Sequence, residues 1–424
     1  MSDKTSKHYL PHPRPYYPWV VWLLCSFFLF YIYCVQSATL SIRPVKAPDT
    51  ATFHNIWRFL NPYAYCIILF QIPIAILIDK FGARKMTSLA IVIFGLGSVF
   101  FGFATTDFHL WVSIFILGIG WSTALVNALK LAYNWFVPKQ FALVAGLTLS
   151  ISALGVATGQ PIARMFLEHL GWRQMMVDFG IIGILYALIF FSLIRDSEPG
   201  ARYSVHNYES KIPLSKAIGQ VFSSSHNWTV ALFYALFSAP WLTYLGLWHA
   251  SFFEVTYGVS LKAGTILNII YAALFAIACP FFAYLSNRYQ NRKHFLYIGV
   301  ISSLILSTCT IYIPNLPFPL AALFSMLTAF ASGSLALSFP LIIERNIPIV
   351  AATVFGFAYT LHFIIKILFD NSVHALIQSV LPEGVTRPTT AGFQLGFLLI
   401  PAVTFLSLIV LFFIKETHAK QTYE

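Results

Sequence analysis

The chain has 424 residues, 58% of them hydrophobic, 17% aromatic and only 10% charged, with a formal net charge of +11. A mean hydropathy of +0.74 excludes an ordinary water-soluble domain and points to a polytopic membrane protein. The excess of positive charge then belongs to membrane topology and anionic lipid contact, and implies no nucleic-acid partner.

A helix needs about 20 apolar residues to cross a hydrocarbon core of roughly 30 Å. Twelve runs qualify, beginning near Trp19, Leu60, Met86, Leu110, Ala142, Gln174, Trp228, Ala263, His294, Leu320, Val350 and Phe393. The expected fold is an all-α membrane protein with twelve transmembrane helices in two six-helix bundles. Residues 1–18 form an N-terminal tail, 19–194 the first bundle, 195–227 a polar central linker, 228–414 the second bundle and 415–424 a C-terminal tail.

The tail carries Lys4, Lys7 and Arg14, and the first run is too long for a cleavable signal, so it is expected to remain as helix 1. That helix offers Tyr33 and Gln36 on one face. Helix 2 ends in ILIDKFGARK, which crowds Asp79, Lys80, Arg84 and Lys85 into a chain with few charges. Helix 4 carries Asn127, Lys130 and Asn134 at spacings of three and four, again one face. Lys130 lies close enough to the helix end to snorkel to water, or to touch substrate.

In the second half, helix 7 presents Trp241, Tyr244 and Trp248, a stripe that serves either packing or a binding wall. Helix 8 adds Asn268 and Tyr271, and helix 10 adds Ser334 and Ser338. Pro240, Pro280 and Pro340 are expected to interrupt helices 7, 8 and 10 around a cavity. Helix 11 carries Tyr359, His362, Lys366 and Asp370 along one face. A charged side chain near mid-membrane costs about 2.5–3.5 kcal/mol, so these groups are functional candidates by default. Lys366 and Asp370 also have the spacing to neutralise each other.

All five cysteines fall inside apolar runs and read as small core residues. With both termini on the cytoplasmic side, the inner segments hold more than twice as many Lys and Arg residues as the outer ones, which supports that orientation.

AYLSNRYQNRK (Ala283 to Lys293) repeats AILIDKFGARK (Ala75 to Lys85) position for position. Asn287 stands where Asp79 does, Arg288 where Lys80 does, and Arg292 where Arg84 does. A charged loop at equal places in two six-helix halves indicates a duplicated architecture with a pathway between the halves.

At these residues the chain resembles the major facilitator superfamily, whose loop between helices 2 and 3 carries G-x-x-x-D-[RK]-x-G-[RK]-[RK]. Asp79, Lys80, Gly82 and Arg84 match it, while Ala75 and Ala83 depart from it. Helix 5 resembles the superfamily's glycine-rich pattern through Gly146, Gly155 and Gly159, with Pro161 one residue late and the final glycine pair missing. NWFVPKQFALVAGL, LGWR and YLGLWHASFFEVTYGVS also resemble segments of bacterial members. The resemblance implies a secondary transporter working by alternating access in a bacterial inner membrane, with both termini cytoplasmic. Its gate is expected to involve Asp79, Lys80, Gly82, Arg84, Asn287, Arg288 and Arg292.

Lys130, Lys366 and His362 give the helix interiors a cationic balance, which favours an anionic or zwitterionic substrate such as an amino acid or organic acid. A larger carboxylate siderophore and drug efflux are the alternatives. His362, Lys366 and Asp370 are the groups able to carry a coupling proton. The expected substrate set is Tyr33, Gln36, Asn127, Lys130, Trp241, Tyr244, Trp248, Asn268, Tyr271, Tyr359, His362 and Lys366. No HExxH, GxSxG or phosphate-binding GxxxxGK[ST] pattern occurs, so neither an enzyme, a metal site, a cofactor nor ATP-driven transport is expected. The partners expected are a small solute, lipid and protons, around a monomer.

Overall fold

A computed structural model describes residues 15–41, 56–197, 213–380 and 388–422. Most of the N-terminal tail, with Lys4, Lys7 and Arg14, and linker residues 198–212 lie outside the described residues. Among the described residues twelve helices are long and apolar enough to span a membrane: Tyr17–Thr39, Tyr63–Phe81, Ala83–Gly102, Phe108–Trp135, Pro138–His169 and Gly171–Leu193, then Ser225–Gly246, Lys262–Tyr289, Arg292–Tyr312, Phe318–Ile343, Pro348–Ser379 and Thr390–Phe413. They are spans 1 to 12 below. Several begin about one turn before the apolar run does, because a polar residue caps the first turn. Ser224, Ser260, Asn291 and Thr389 each accept a backbone N–H there.

The outer wall is apolar, with Phe108, Leu188, Leu368 and Phe412 exposed as a lipid-facing surface requires. A short helix, Leu214–Ser223, precedes span 7 and buries Ala217 and Val221.

The two halves meet closely toward one end of the molecule, where spans 2, 4 and 8 finish and spans 5 and 11 begin. A Cβ on Gly146 of span 5 would stand 2.8 Å from the Cys279 carbonyl oxygen of span 8, and one on Gly356 of span 11 would stand 2.6 Å from Ala75 Cβ of span 2. Glycine is what permits these approaches. Gly155 and Gly159 do the same between spans 5 and 1, against the carbonyls of Phe30 and Cys34.

The prolines behave differently from expectation at one position. Span 8 runs unbroken through Pro280. Proline cannot donate to the carbonyl four residues back. That carbonyl, on Ala276, instead accepts a short hydrogen bond from the Ser150 hydroxyl of span 5, so the other half satisfies what the proline leaves open. Span 7 carries Pro240 and then a π-helical turn, Tyr244–Trp248, while span 10 passes through a 3-10 turn, Gly333–Leu337, ahead of Pro340.

Gly146→Val sets a branched side chain against the Cys279 backbone, and overpacking of this kind costs about 1–3 kcal/mol. The expected result is a lower Tm for the purified protein in detergent; an unchanged Tm would show that the halves do not touch at this point.

Candidate functional site

Asp79 closes the end where the halves meet. It is 6% exposed, withdrawn from water although its neighbour Lys80 is exposed. Its Oδ1 accepts the Ala352 N–H at 3.1 Å and its Oδ2 accepts the Thr353 N–H and hydroxyl, each at 2.8 Å. The first turn of a helix has N–H groups with no partner inside the helix and carries a partial positive charge. Asp79, from the first half, supplies both the acceptor and the negative charge to span 11 of the second.

Lys130 completes the cluster. Its Nζ lies 2.9 Å from Asp79 Oδ1 and donates to the Pro348 carbonyl at 2.9 Å. At 2% exposure it does not snorkel to water, and it is not among the residues that line the cavity described below. Lys130 is held in the seam because Asp79 is the counterion that makes its burial affordable.

Around this cluster the charged loop is braced from within its own half. Arg84 donates from Nε and Nη2 to the Phe191 carbonyl at 3.0 and 2.7 Å, and its backbone N–H meets Asp196 Oδ1 at 2.7 Å. Gly82 has φ of +92°, a left-handed backbone, and a Cβ there would meet the Asp196 carboxylate at 2.8 Å. Lys80 is exposed above the Phe81 ring.

The repeated loop is built differently. Asn287 Nδ2 donates to the Lys139 carbonyl of the first half at 2.8 Å, and Arg288 is exposed. Arg292 is buried and pairs with Glu344 at 2.7 Å, while its backbone N–H reaches Glu416 Oε1 at 3.1 Å. Burial pushes the Glu344 carboxyl up from its ordinary value, and the Arg292 guanidinium draws it partly back. The C-terminal segment adds a further bridge: Thr417 donates to Glu344, the Thr422 N–H to the Glu344 carbonyl at 2.8 Å, and Gln421 Nε2 to the Tyr133 hydroxyl of the first half at 2.9 Å.

Toward the opposite end, spans 1, 4, 5, 7, 8 and 11 surround a cavity of about 110 Å³. Tyr33, Gln36, Asn268, His362 and Lys366 of the expected set line it, joined by Trp121. Its floor is a hydrogen bond of 3.0 Å between the Tyr33 and Tyr359 hydroxyls, with Trp121 edge-on to Tyr33. His362 Nδ1 lies 2.6 Å from the Ser238 hydroxyl, and its Nε2 has no partner. Lys366 is 21% exposed and donates to Asp370 at 2.5 Å, and Asp370 also accepts from Thr243.

Several expected residues sit elsewhere. Trp241, Tyr244 and Tyr271 line a separate cavity of about 30 Å³ within the second half, walled by Ser303, Ser307, Thr310 and Ser325. Trp248 packs on His374 and Phe393. Trp241 and Tyr244 share a face that turns into the second half, while Leu242, Leu245 and Gly246 of the same span line the central cavity. Asn127 is buried and outside the cavity wall, Ser334 and Ser338 are buried, and Asn134 donates to the Asp196 carbonyl at 3.1 Å. The cationic balance expected for the interior is also revised, since Lys130 and Lys366 each hold a carboxylate.

Asp196, Glu416 and Thr353 were missed by sequence reasoning. A signal for two of them existed: Ile194-Arg195-Asp196 and Ile414-Lys415-Glu416 end spans 6 and 12 in the same way and extend the internal repeat. Among the described residues no group of His, Cys, Asp and Glu is placed to hold a metal ion.

The profile described as Major Facilitator Superfamily matches residues 56–369. The chain is 25% identical over 195 residues to the hexuronate transporter of Bacillus subtilis, covering 45% of this chain and 46% of that protein. It is 26% identical over 175 residues to the D-galactonate transporter of Escherichia coli, covering 41% of each. The matches thus span less than half the length of these two curated relatives. Among solved structures, a double-tryptophan mutant of XylE aligns with a TM-score of 0.71 at 13% identity, over 95% of this chain and 98% of that one, a likeness of fold alone.

Asp79→Ala removes the counterion of a buried ammonium, and breaking such a pair costs about 3–5 kcal/mol. Thermal unfolding in detergent is expected to show a large fall in Tm that Lys130→Met, introduced into the same chain, restores in part, the span 11 N–H groups staying without their acceptor. Equal Tm values for Asp79→Ala and the unmutated protein would contradict the pairing.

Proposed function

The chain belongs to the Major Facilitator Superfamily of membrane transporters, and from that premise we infer that it takes up a small organic acid by alternating access. The observation that carries this reading is Lys366 in the wall of a cavity that lies between the halves, on the far side of their seal. A lysine ammonium has three donors, and Asp370 uses one. A substrate carboxylate engages the remaining two first and then draws Lys366 off Asp370, while Gln36, Asn268 and Tyr33 offer donors and acceptors for hydroxyl groups. The two relatives named above transport hexuronate and D-galactonate, both hydroxylated acids, which supports a sugar acid here.

In this reading the sealed end is cytoplasmic, as the Lys and Arg bias implies, and the cavity faces outward. The protein resides in a bacterial inner membrane with both termini inside and works as a monomer. An incoming carboxylate competes with Asp370 for Lys366. Asp370, released from Lys366, is then the carboxylate placed to carry the coupling proton. The anion and the proton then cross together, which makes the transporter a symporter. Break-up of the Asp79 cluster opens the cytoplasmic side.

The test is uptake of radiolabelled D-glucuronate and D-galactonate into proteoliposomes with an imposed proton gradient. Lys366→Gln is expected to reduce uptake at least about tenfold, since a hydrogen bond to a charged group contributes roughly 1.5–3 kcal/mol. Asp370→Asn is expected to keep substrate binding while losing the response to the gradient. Full uptake by Lys366→Gln would refute the assignment.

A further inference from the structure

Two side-chain amides in the sealed part of the molecule have every polar atom idle. Gln71 of span 2 is fully buried, and neither its Nε2 nor its Oε1 has a hydrogen-bond partner. Asn127 of span 4 is 1% exposed, and its Nδ2 and Oδ1 are unpartnered as well. Buried amides are otherwise almost always satisfied, because removing them from water without a partner costs free energy. Apolar residues of the same volume would pack this layer more stably, so the amides call for a use outside the conformation in which they are idle.

Their positions indicate that use. Gln71, Ala75 and Asp79 follow one another at four-residue steps and share a helix face. Ala75 and the Gln71 carbonyl lie against Gly356 of span 11, and Gln71 Nε2 is 3.8 Å from where a Gly356 Cβ would stand. Asn127 precedes Lys130 by one turn on the face that Lys130 turns to the seam. Both amides therefore occupy the layer between the Tyr33–Tyr359 floor of the cavity and the Asp79 cluster. Neither lines the open cavity.

We propose that Gln71 and Asn127 form a second substrate subsite, closed off while the Asp79 cluster is intact, which hydrogen-bonds the acid after it leaves Lys366 for the cytoplasmic side. The proposal rests on the alternating-access reading above and adds where the solute goes next. Each amide offers donors for carboxylate oxygens and an acceptor for hydroxyl groups, the mixture that a hydroxylated acid requires. Being neutral, the pair holds the anion without trapping it, and a site on an exit route must release what it binds. The idle amides also make the closed layer less stable than it would otherwise be, which eases opening.

Gln71→Leu and Asn127→Leu test this with two readouts. If the amides are idle here, each variant keeps or raises the Tm of the purified protein, while uptake of D-glucuronate falls about tenfold, the worth of one charge-assisted hydrogen bond. A purely structural pair gives the reverse, a lowered Tm, and that result, or unchanged uptake at unchanged Tm, overturns the proposal. A substrate-free measurement stands beside it. Gln71→Cys is expected to react with a membrane-impermeant maleimide from the cytoplasmic face only when combined with Asp79→Asn, above the background of the native cysteines. Absence of labelling in both backgrounds also overturns the subsite. If the unmutated protein neither binds nor moves D-glucuronate, the substrate class fails, and the labelling still decides whether Gln71 lies on the route.

Discussion

Asp79 is a carboxylate withdrawn from water at the seam between two halves of the chain, and its compensation comes from both of them. Lys130 reaches it from its own half, and the first turn of span 11 reaches it from the other. Neither partner can leave without exposing the other's cost: an unpaired ammonium on one side, unsatisfied N–H groups on the other. The cluster is therefore held or lost as a unit, and a unit of that kind gives two discrete states in place of a continuum. The glycine contacts at Gly146 and Gly356 work with it, since only a close seam lets a side chain from span 2 cap a helix of the opposite half.

The duplicated halves spend the same loop differently. Where the first half has an acidic Asp79 directed across the seam, the second has Asn287, which donates to a carbonyl and brings no counterion into the interface. Its buried charge is internal, between Arg292 and Glu344, and the C-terminal residues Thr417 and Thr422 are built onto that pair. Gln421 then touches Tyr133. One seam is thus electrostatic and breakable, while the other rests on neutral hydrogen bonds and close packing, with Ser150 satisfying the carbonyl that Pro280 leaves free. At the far end the helices enclose a cavity in whose wall the half-buried Lys366 ammonium is already paired with Asp370.

Much of the fold is legible in the sequence because the bilayer imposes a length and a polarity on each helix, and twelve runs obey both. The internal repeat is legible because charges are rare enough for their pattern to stand out. The Lys366–Asp370 pair follows from spacing alone, since both residues share one helix. Lys130 does not yield to the same reasoning: its partner lies on another helix, and no spacing within span 4 reveals whether the ammonium faces water, substrate or Asp79. Trp241, Tyr244 and Trp248 mislead for a different reason: their spacing does not say whether their face meets the central cavity or the interior of the second half, where Trp241 and Tyr244 lie. Gln71 sits in an apolar run and draws attention only once its lack of partners is seen.

The most direct test of the central claim is the distance between spin labels at Lys80 and Arg288, exposed positions at the ends of spans 2 and 8 on the sealed side, measured by double electron–electron resonance in lipid nanodiscs. The unmutated protein should give a predominantly short distance, and Asp79→Asn should move a substantial population to a longer one. Identical distance distributions for the two would contradict the claim that the Asp79 cluster holds this side shut.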